Sequence, residues 1–294
     1  MRKLLVIIPV ILIHCSCREL VTDEFREFDP VPTVNSILIA GKPLKVQVSL
    51  AEKLDTNKLT LAVNSEISLY IDGSYVEKLL PDSSGLFFSS SVVEPLRTYS
   101  LDVKVPGHET IICSESLPSP SPILNIVHTS RAGKDEEGVV YPSVSVTFKT
   151  NPTAKQFYEL VVWALHERYK QAIYLEKITD PVLQNEGLPL TIFSNEIIRD
   201  SIYTMTINYF TGGASAGTNI PWHTDLYPLI IELRSCTSSY YKFVKQKYLY
   251  ETGLDFDILS TSANAFQLFS NIPGGYGIFA GYSVVASDTL FPVF

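Results

Sequence analysis

Cysteine is scarce in this sequence, which holds only 4 among 294 residues. Two of them, Cys15 and Cys17, stand near the N-terminus, and the others, Cys113 and Cys236, lie in the body of the chain. The body can therefore form at most one disulfide bond. We expect two separate buried thiols, because free cysteine packs like a small apolar residue. A bond joining two domains of an exported protein is the alternative.

Basic residues are also in short supply. Lys and Arg number 23 against 31 Asp and Glu, which gives a formal net charge of -8. This balance argues against a nucleic-acid partner, because phosphate binding requires concentrated positive charge. Long apolar runs are missing too, since no stretch reaches the roughly 20 residues of a membrane-spanning helix. A hydrophobic content of 46% with 18% charged residues is typical of a folded globular protein.

Two familiar catalytic motifs are absent from the sequence. It has no His-Glu-x-x-His element and, in its body, no Cys-x-x-Cys pair. The glycine-rich segment 271–282 lacks the Gly-Lys-Ser/Thr ending of a phosphate-binding loop. We therefore expect no cofactor and no metal site, and we favour a non-enzymatic protein. A hydrolase of glycans or peptides, whose acids meet only on folding, is the third-ranked hypothesis.

The N-terminus has the form of a lipoprotein leader. Two basic residues precede an apolar run over residues 4–13, and Ser16 and Cys17 follow shortly after it. A basic end, a short apolar stretch and a small residue before a cysteine are typical of a secretory signal peptide. The sequence predicts a signal peptide over residues 1–17, lipidation of Cys17 and an acidic tether over residues 18–30. An ordinary secreted protein, cut nearby, is the alternative.

Beyond the tether, the chain is predicted to be mainly β, in two β-sandwich-like domains. Residues 31–117 are predicted to form an immunoglobulin-like or transthyretin-like sandwich. Residues 118–122 are predicted to be a stiff Pro/Ser linker, and residues 123–294 a second β-rich domain. An apolar stripe of tyrosines predicts one helix in the second domain, over about residues 238–251, packed on a sheet.

Alternating apolar and polar residues support the strand assignments. Residues 67–71 have the two-residue period of a half-buried strand, and Asp72-Gly73 supplies a hairpin turn. Segments 157–165 and 201–210 are predicted to be strands of the second domain. The glycine-rich segment 271–282 is predicted to be a bulged turn that leads into a final strand.

The best candidate for a ligand site is an aromatic segment of the second domain. Trp222 and His223, with Tyr227 nearby, follow a glycine-rich stretch and are predicted to lie on an irregular loop. An exposed tryptophan on a loop can form a platform for a sugar, a peptide or an aromatic group. The alternative is that Trp222 closes the end of the second sheet as part of the core.

Several segments together resemble a known family. They are the hairpin 67–73, Gly85-Leu86-Phe87-Phe88, residues 98–103, Tyr240-Tyr241-Lys242-Phe243 in the predicted helix, and residues 270–282 near the C-terminus. On these residues the chain resembles the Bacteroidetes lipoproteins grouped as a family of unknown function, numbered forty-two forty-nine. The resemblance covers nearly the whole mature chain.

The resemblance implies a location and a class of partner. The family has no established activity, so no catalytic residue is carried over. Its members look like outer-membrane lipoproteins, often encoded near TonB-dependent transporters. The resemblance therefore implies a lipid-anchored protein of the outer membrane, on its periplasmic or cell-surface face. It would assist such a transporter by capturing or handing over a small ligand, a peptide or a glycan. A structural or adhesion module is the alternative function.

Overall fold

The computed structural model describes residues 29–51, 59–217, 220–256 and 268–293. The predicted signal peptide, the predicted lipidation site Cys17 and most of the tether lie outside the described residues. Within the described part the chain is mainly β, as predicted. It has two helices, and the sequence predicted only the one near residues 238–251.

The larger sheet has 13 strands. Their bounds are β1 Val31–Ile39, β2 Pro43–Ala51, β3 Thr60–Leu61, β4 Glu66–Ile71, β5 Ser74–Pro81, β6 Phe87–Val92, β7 Thr98–Lys104, β8 Ile111–Ser116, β11 Phe157–Leu165, β12 Lys170–Ala172, β14 Ile192–Ser194, β18 Leu229–Cys236 and β19 Tyr276–Ala286. The strand order is β12-β11-β18-β19-β1-β2-β6-β5-β4-β7-β8, with β14 beside β11 and β3 beside β2.

The smaller sheet has 6 strands. Their bounds are β9 Ile123–Lys134, β10 Val140–Lys149, β13 Tyr174–Leu175, β15 Ile202–Phe210, β16 Ala214–Gly217 and β17 Ile220–Thr224. The order is β13-β15-β10-β17-β16, and β9 pairs with β10. The predicted strands over 157–165 and 201–210 are thus confirmed as β11 and β15.

The first sandwich forms because the larger sheet curls back on itself, so that β8 contacts β19. Alternate residues of its strands turn inward and form one buried cluster, which includes Val46, Leu69 and Leu101. The predicted hairpin between β4 and β5 is confirmed. Asp72 and Gly73 both have positive φ, 51° and 79°, which matches the right-handed twist of the flanking strands.

The second sandwich forms where the other half of the larger sheet packs on the smaller sheet. Leu160 of β11 and Leu233 of β18 meet Phe148 of β10 and Met205 and Ile207 of β15 in a second buried cluster. The fold therefore has two sandwich-like units, as predicted, each with its own core.

The two sandwiches share one hydrogen-bonded sheet. The first strand, β1, pairs in parallel with the last, β19, from Thr33↔Tyr276 to Ile39↔Tyr282. Gly277 allows this close approach, because it has a φ of 107° and a Cβ there would overlap the carbonyl oxygen of Val34. The Pro/Ser segment 118–122 therefore does not connect the sandwiches by itself, and the domain boundaries stay a prediction.

Two helices complete the described structure, α1 (Pro181–Glu186) and α2 (Ser238–Phe256). The side chain of Thr237 accepts a hydrogen bond from the backbone N–H of Tyr240, 3.2 Å away, and so caps α2. The helix was predicted to end near residue 251 but continues to Phe256. A glycine at position 253 does not end it, because glycine in a helix interior costs only about 1 kcal/mol.

Candidate functional site

The segment around Trp222 is a hairpin and not the irregular loop that the sequence predicts. Residues 220–224 form β17, which pairs with β16. Glycine and proline around this segment hide its short alternating pattern. The hairpin joins the sheet at one pair of residues, Val140↔His223. Its base is fastened by Thr211, whose hydroxyl donates a hydrogen bond of 2.7 Å to the backbone oxygen of Asp225.

Trp222 does not close the end of the sheet, because 59% of its surface is exposed. Successive side chains of a strand point to opposite faces, so Trp222 and His223 face in different directions. The three residues proposed as a ligand site are therefore divided. His223 and Tyr227 line one cavity, and Trp222 does not line it.

The cavity of His223 and Tyr227 has a volume of about 500 Å³. Ser215, Asp225 and the C-terminal residues 292 and 293 complete its lining, together with Leu226. The ring of Tyr227 packs against His166, with 4.1 Å between the ring centroids. Tyr227 therefore has a packing role as well as a place in the cavity wall.

Ser215, His223 and Asp225 invite comparison with a hydrolase triad. Ser215 and His223 are cross-strand partners, and Asp225 lines the same cavity. The Nδ1 atom of His223, however, lies 2.9 Å from the backbone oxygen of Pro221. In a triad the carboxylate bonds this nitrogen and fixes the tautomer. The observed hydrogen bond instead joins this nitrogen of His223 to the backbone.

A second cavity, of about 490 Å³, lies beside the turn between β9 and β10. Asp135, Glu136, Glu137 and Glu176 line it together with Lys134, Tyr141 and Lys177. Burial, and secondarily the nearby Asp135, raise the pKa of Glu176. The carboxylate of Asp135 accepts hydrogen bonds from two backbone N–H groups of the turn. In the part of the chain that the structure describes, no cluster of three His, Cys, Asp or Glu side chains could hold a metal ion.

Helix α2 is held to the outer face of the larger sheet by two polar networks that the sequence analysis missed. In the first, the Glu186 carboxylate accepts hydrogen bonds from Ser194, from Lys245 and from the Tyr241 hydroxyl. Burial acts to raise the pKa of Glu186, but these hydrogen bonds outweigh it and hold the pKa below its ordinary value.

The second network is centred on Arg234. Its guanidinium donates to Glu159 and to Glu232, both at 2.8 Å, and lies over the ring of Tyr282. Tyr240 of α2 donates to the same Glu159 oxygen at 3.0 Å. Burial acts to lower the pKa of Arg234, but the surrounding carboxylates outweigh it and raise the pKa. Both networks are satisfied internally, and their chemistry is that of attachment between elements.

Cys113 and Cys236 are both buried free thiols, as expected from the sequence. Burial raises the pKa of Cys113 to about 12 and that of Cys236 well above its ordinary value. Both are therefore protonated at neutral pH, and neither has the character of a nucleophile.

Comparison with known protein families gives a match to a family of unknown function. Residues 18–288 match the family described as a domain of unknown function, DUF4249. The protein therefore belongs to the DUF4249 family, which confirms the family resemblance. No curated protein matches the sequence.

One solved structure among those that match is described as a candidate membrane-anchored protein from Corynebacterium diphtheriae. It is 9% identical, covers 70% of this chain and has a TM-score of 0.22. The match spans 54% of that protein's length. Among the described residues of the present chain, no helix is long and apolar enough to cross a membrane.

Proposed function

We propose that the protein is a lipid-anchored, non-enzymatic accessory protein of the outer membrane that assists a TonB-dependent transporter. The leader with Cys17 at its end supports attachment through a lipid. The structural observation that supports a partner is Trp222, a large aromatic side chain that is 59% exposed on a hairpin attached to its sheet at one point. Tryptophan is enriched among the residues that dominate protein–protein binding.

In this proposal the two faces of the hairpin have different roles. Trp222 contacts the transporter, and the cavity of His223 and Tyr227 receives the ligand. The imidazole, the carboxylate of Asp225 and the hydroxyl of Ser215 offer hydrogen bonds to a peptide or a glycan. The protein captures this ligand and hands it over to the transporter without altering it.

The test is purification of the tagged protein from gently solubilised native membranes, with partners identified by mass spectrometry. We expect a TonB-dependent transporter in stoichiometric amount, and its loss from the Trp222→Ala variant. Tyr75→Ala is the matched control, because Tyr75 is also 59% exposed but lies on the β4–β5 hairpin of the other sandwich. A protein recovered alone, still attached to membranes through Cys17, would refute the transporter partnership.

A structural or adhesion module is the second candidate function. Leu80 and Phe88 are cross-strand partners, and Val92 follows on the same outer face. Their exposed fractions are 70%, 38% and 51%. Adjacent exposed apolar side chains of this kind favour contact with another protein. Recovery of a surface protein other than a transporter in the same purification would support this function.

A further inference from the structure

An apolar depression lies between α2 and the outer face of the larger sheet. Its volume is about 750 Å³, which is within the range of small-molecule sites. Its apolar lining comes from five elements or their flanks: Ile37 and Ile39 of β1, Pro43 of β2, Phe88 of β6, Phe243 of α2, and Ile278 of β19 with Leu268 ahead of that strand. We call this depression the α2 groove.

The α2 groove also contains a small set of polar groups. Asn35 and Gln47 line it and are cross-strand partners of β1 and β2. Lys42, in the turn between these strands, and Lys45 of β2 line it as well. A mostly apolar lining with a few convergent polar groups is the usual composition of a ligand site.

The two lysines give the groove a positive charge in a protein whose net charge is -8. Neither takes part in an ion pair with a carboxylate of the described residues. Hydrogen bonds from Ser84 and Leu86 lower the pKa of Asp82, and Lys45 is close enough to make a smaller contribution in the same direction. Positive charge beside apolar surface is complementary to a ligand that has an apolar body and an anionic head.

We propose that the α2 groove binds a single-chain amphiphile with a carboxylate head, such as a fatty acid. The acyl chain would lie along Ile37, Ile39 and Phe243, where removal of its methylene groups from water favours binding. The carboxylate would meet the ammonium groups of Lys42 and Lys45. A glycan fits this groove less well, because its many hydroxyl groups need more hydrogen-bonding partners than the groove offers. The inference goes beyond the transporter partnership and does not depend on it.

The test measures binding of laurate to the purified mature chain with Cys17→Ala, which lacks a lipid of its own. Isothermal titration calorimetry is expected to show one saturable site. The variant Lys42→Gln/Lys45→Gln is expected to bind laurate about tenfold more weakly, because it lacks the charge-assisted contacts. Its affinity for 1-dodecanol, which has no charge, is expected to stay unchanged. Phe88→Ser is expected to weaken binding of both probes.

The matched control is Lys134→Gln/Lys177→Gln, which removes two lysines from the lining of the cavity beside the β9–β10 turn. It is expected to bind laurate like the parent chain. Circular dichroism and thermal unfolding establish that each variant is folded before titration. The proposal is overturned if the folded parent chain shows no saturable laurate binding, if both lysine pairs have the same effect, or if binding survives both groove variants. Binding to the purified chain tests the groove alone, and co-purification tests the partnership alone.

Discussion

The attachment of α2 through Glu186 and Lys245 can be tested directly, because the pair is buried on one side only. The Glu186 side chain is 4% exposed, that of Lys245 is 23% exposed, and their charged atoms lie 2.9 Å apart. Lys245→Met would leave the carboxylate buried with hydrogen bonds from Ser194 and Tyr241 but without its countercharge. We expect this variant to be clearly destabilised.

The expected magnitude follows from the burial of the pair. Breaking a fully buried ion pair costs roughly 3–5 kcal/mol, and losing a hydrogen bond to a charged group costs about 1.5–3 kcal/mol. Since Lys245 retains contact with solvent, the lower range applies, and we expect about 2 kcal/mol. For a chain of this size that corresponds to a fall in apparent Tm of roughly 3–4 °C.

The control lies on the same helix. Lys247 pairs with Glu251 at 3.6 Å, and both side chains are more than half exposed. Such a pair contributes at most about 0.5 kcal/mol, so Lys247→Met should hardly change the Tm. The double variant Glu186→Gln/Lys245→Met should be more stable than Lys245→Met, because no unpaired charge stays buried. Equal Tm values for Lys245→Met and Lys247→Met, measured by thermal unfolding at pH 7, would refute this account.

The same pair should make stability depend on pH. The folded-state pKa of Glu186 is lowered from 4.5, so the carboxylate contributes stability at pH values above about 4.5. That contribution is lost as the pH falls through the lowered pKa. The difference in Tm between the parent chain and Lys245→Met should therefore shrink in acid, as Glu186 becomes neutral in both. A difference that stays constant down to the acid limit of folding would contradict this assignment.

Two further predictions concern a backbone contact and the thiols. Gly277→Ala should destabilise the protein more than Gly274→Ala. Both glycines have positive φ, but only at Gly277 would a Cβ meet the Val34 carbonyl. Thermal unfolding of the two variants measures the difference, and equal effects would show that φ alone determines the loss of stability. Cys113 and Cys236 should be unreactive toward a thiol reagent in the native protein and both reactive in denaturant, because both are buried; rapid labelling of the native chain would contradict this.

The elements that the sequence predicts well are those determined by near neighbours. The hairpin at Asp72-Gly73 depends on a two-residue turn, and the strand over residues 157–165 on a local apolar pattern. The hairpin of Trp222 was missed because its strands are short and are surrounded by glycine and proline, which are typical of loops. The end of α2 was missed because a single glycine in a helix interior costs only about 1 kcal/mol, so Gly253 does not have to end the helix.

The features that the sequence does not predict are contacts between distant residues. Glu186 and Lys245 stand 59 positions apart, and neither has a local pattern that marks it as paired. Their residue types alone are typical of a solvated surface. Trp222 and His223 are adjacent in sequence, and only the assignment of a strand shows that they face opposite ways. The residue types therefore identify the candidate site in the sequence, but only the backbone conformation shows that its residues lie on two different faces.

The α2 groove depends on the contact that was hardest to predict. Ile37 of β1 lies more than 200 residues before Phe243 and Ile278 in the sequence, and all three line the groove. They come together because β1 pairs with β19. If each sandwich folded as a closed unit, joined only through the Pro/Ser segment 118–122, β1 would have an unpaired edge and the groove would have one wall. The shared sheet therefore joins the two sandwiches and also forms one side of the α2 groove. Any ligand of the groove would contact both sandwiches, and its binding would stabilise their junction.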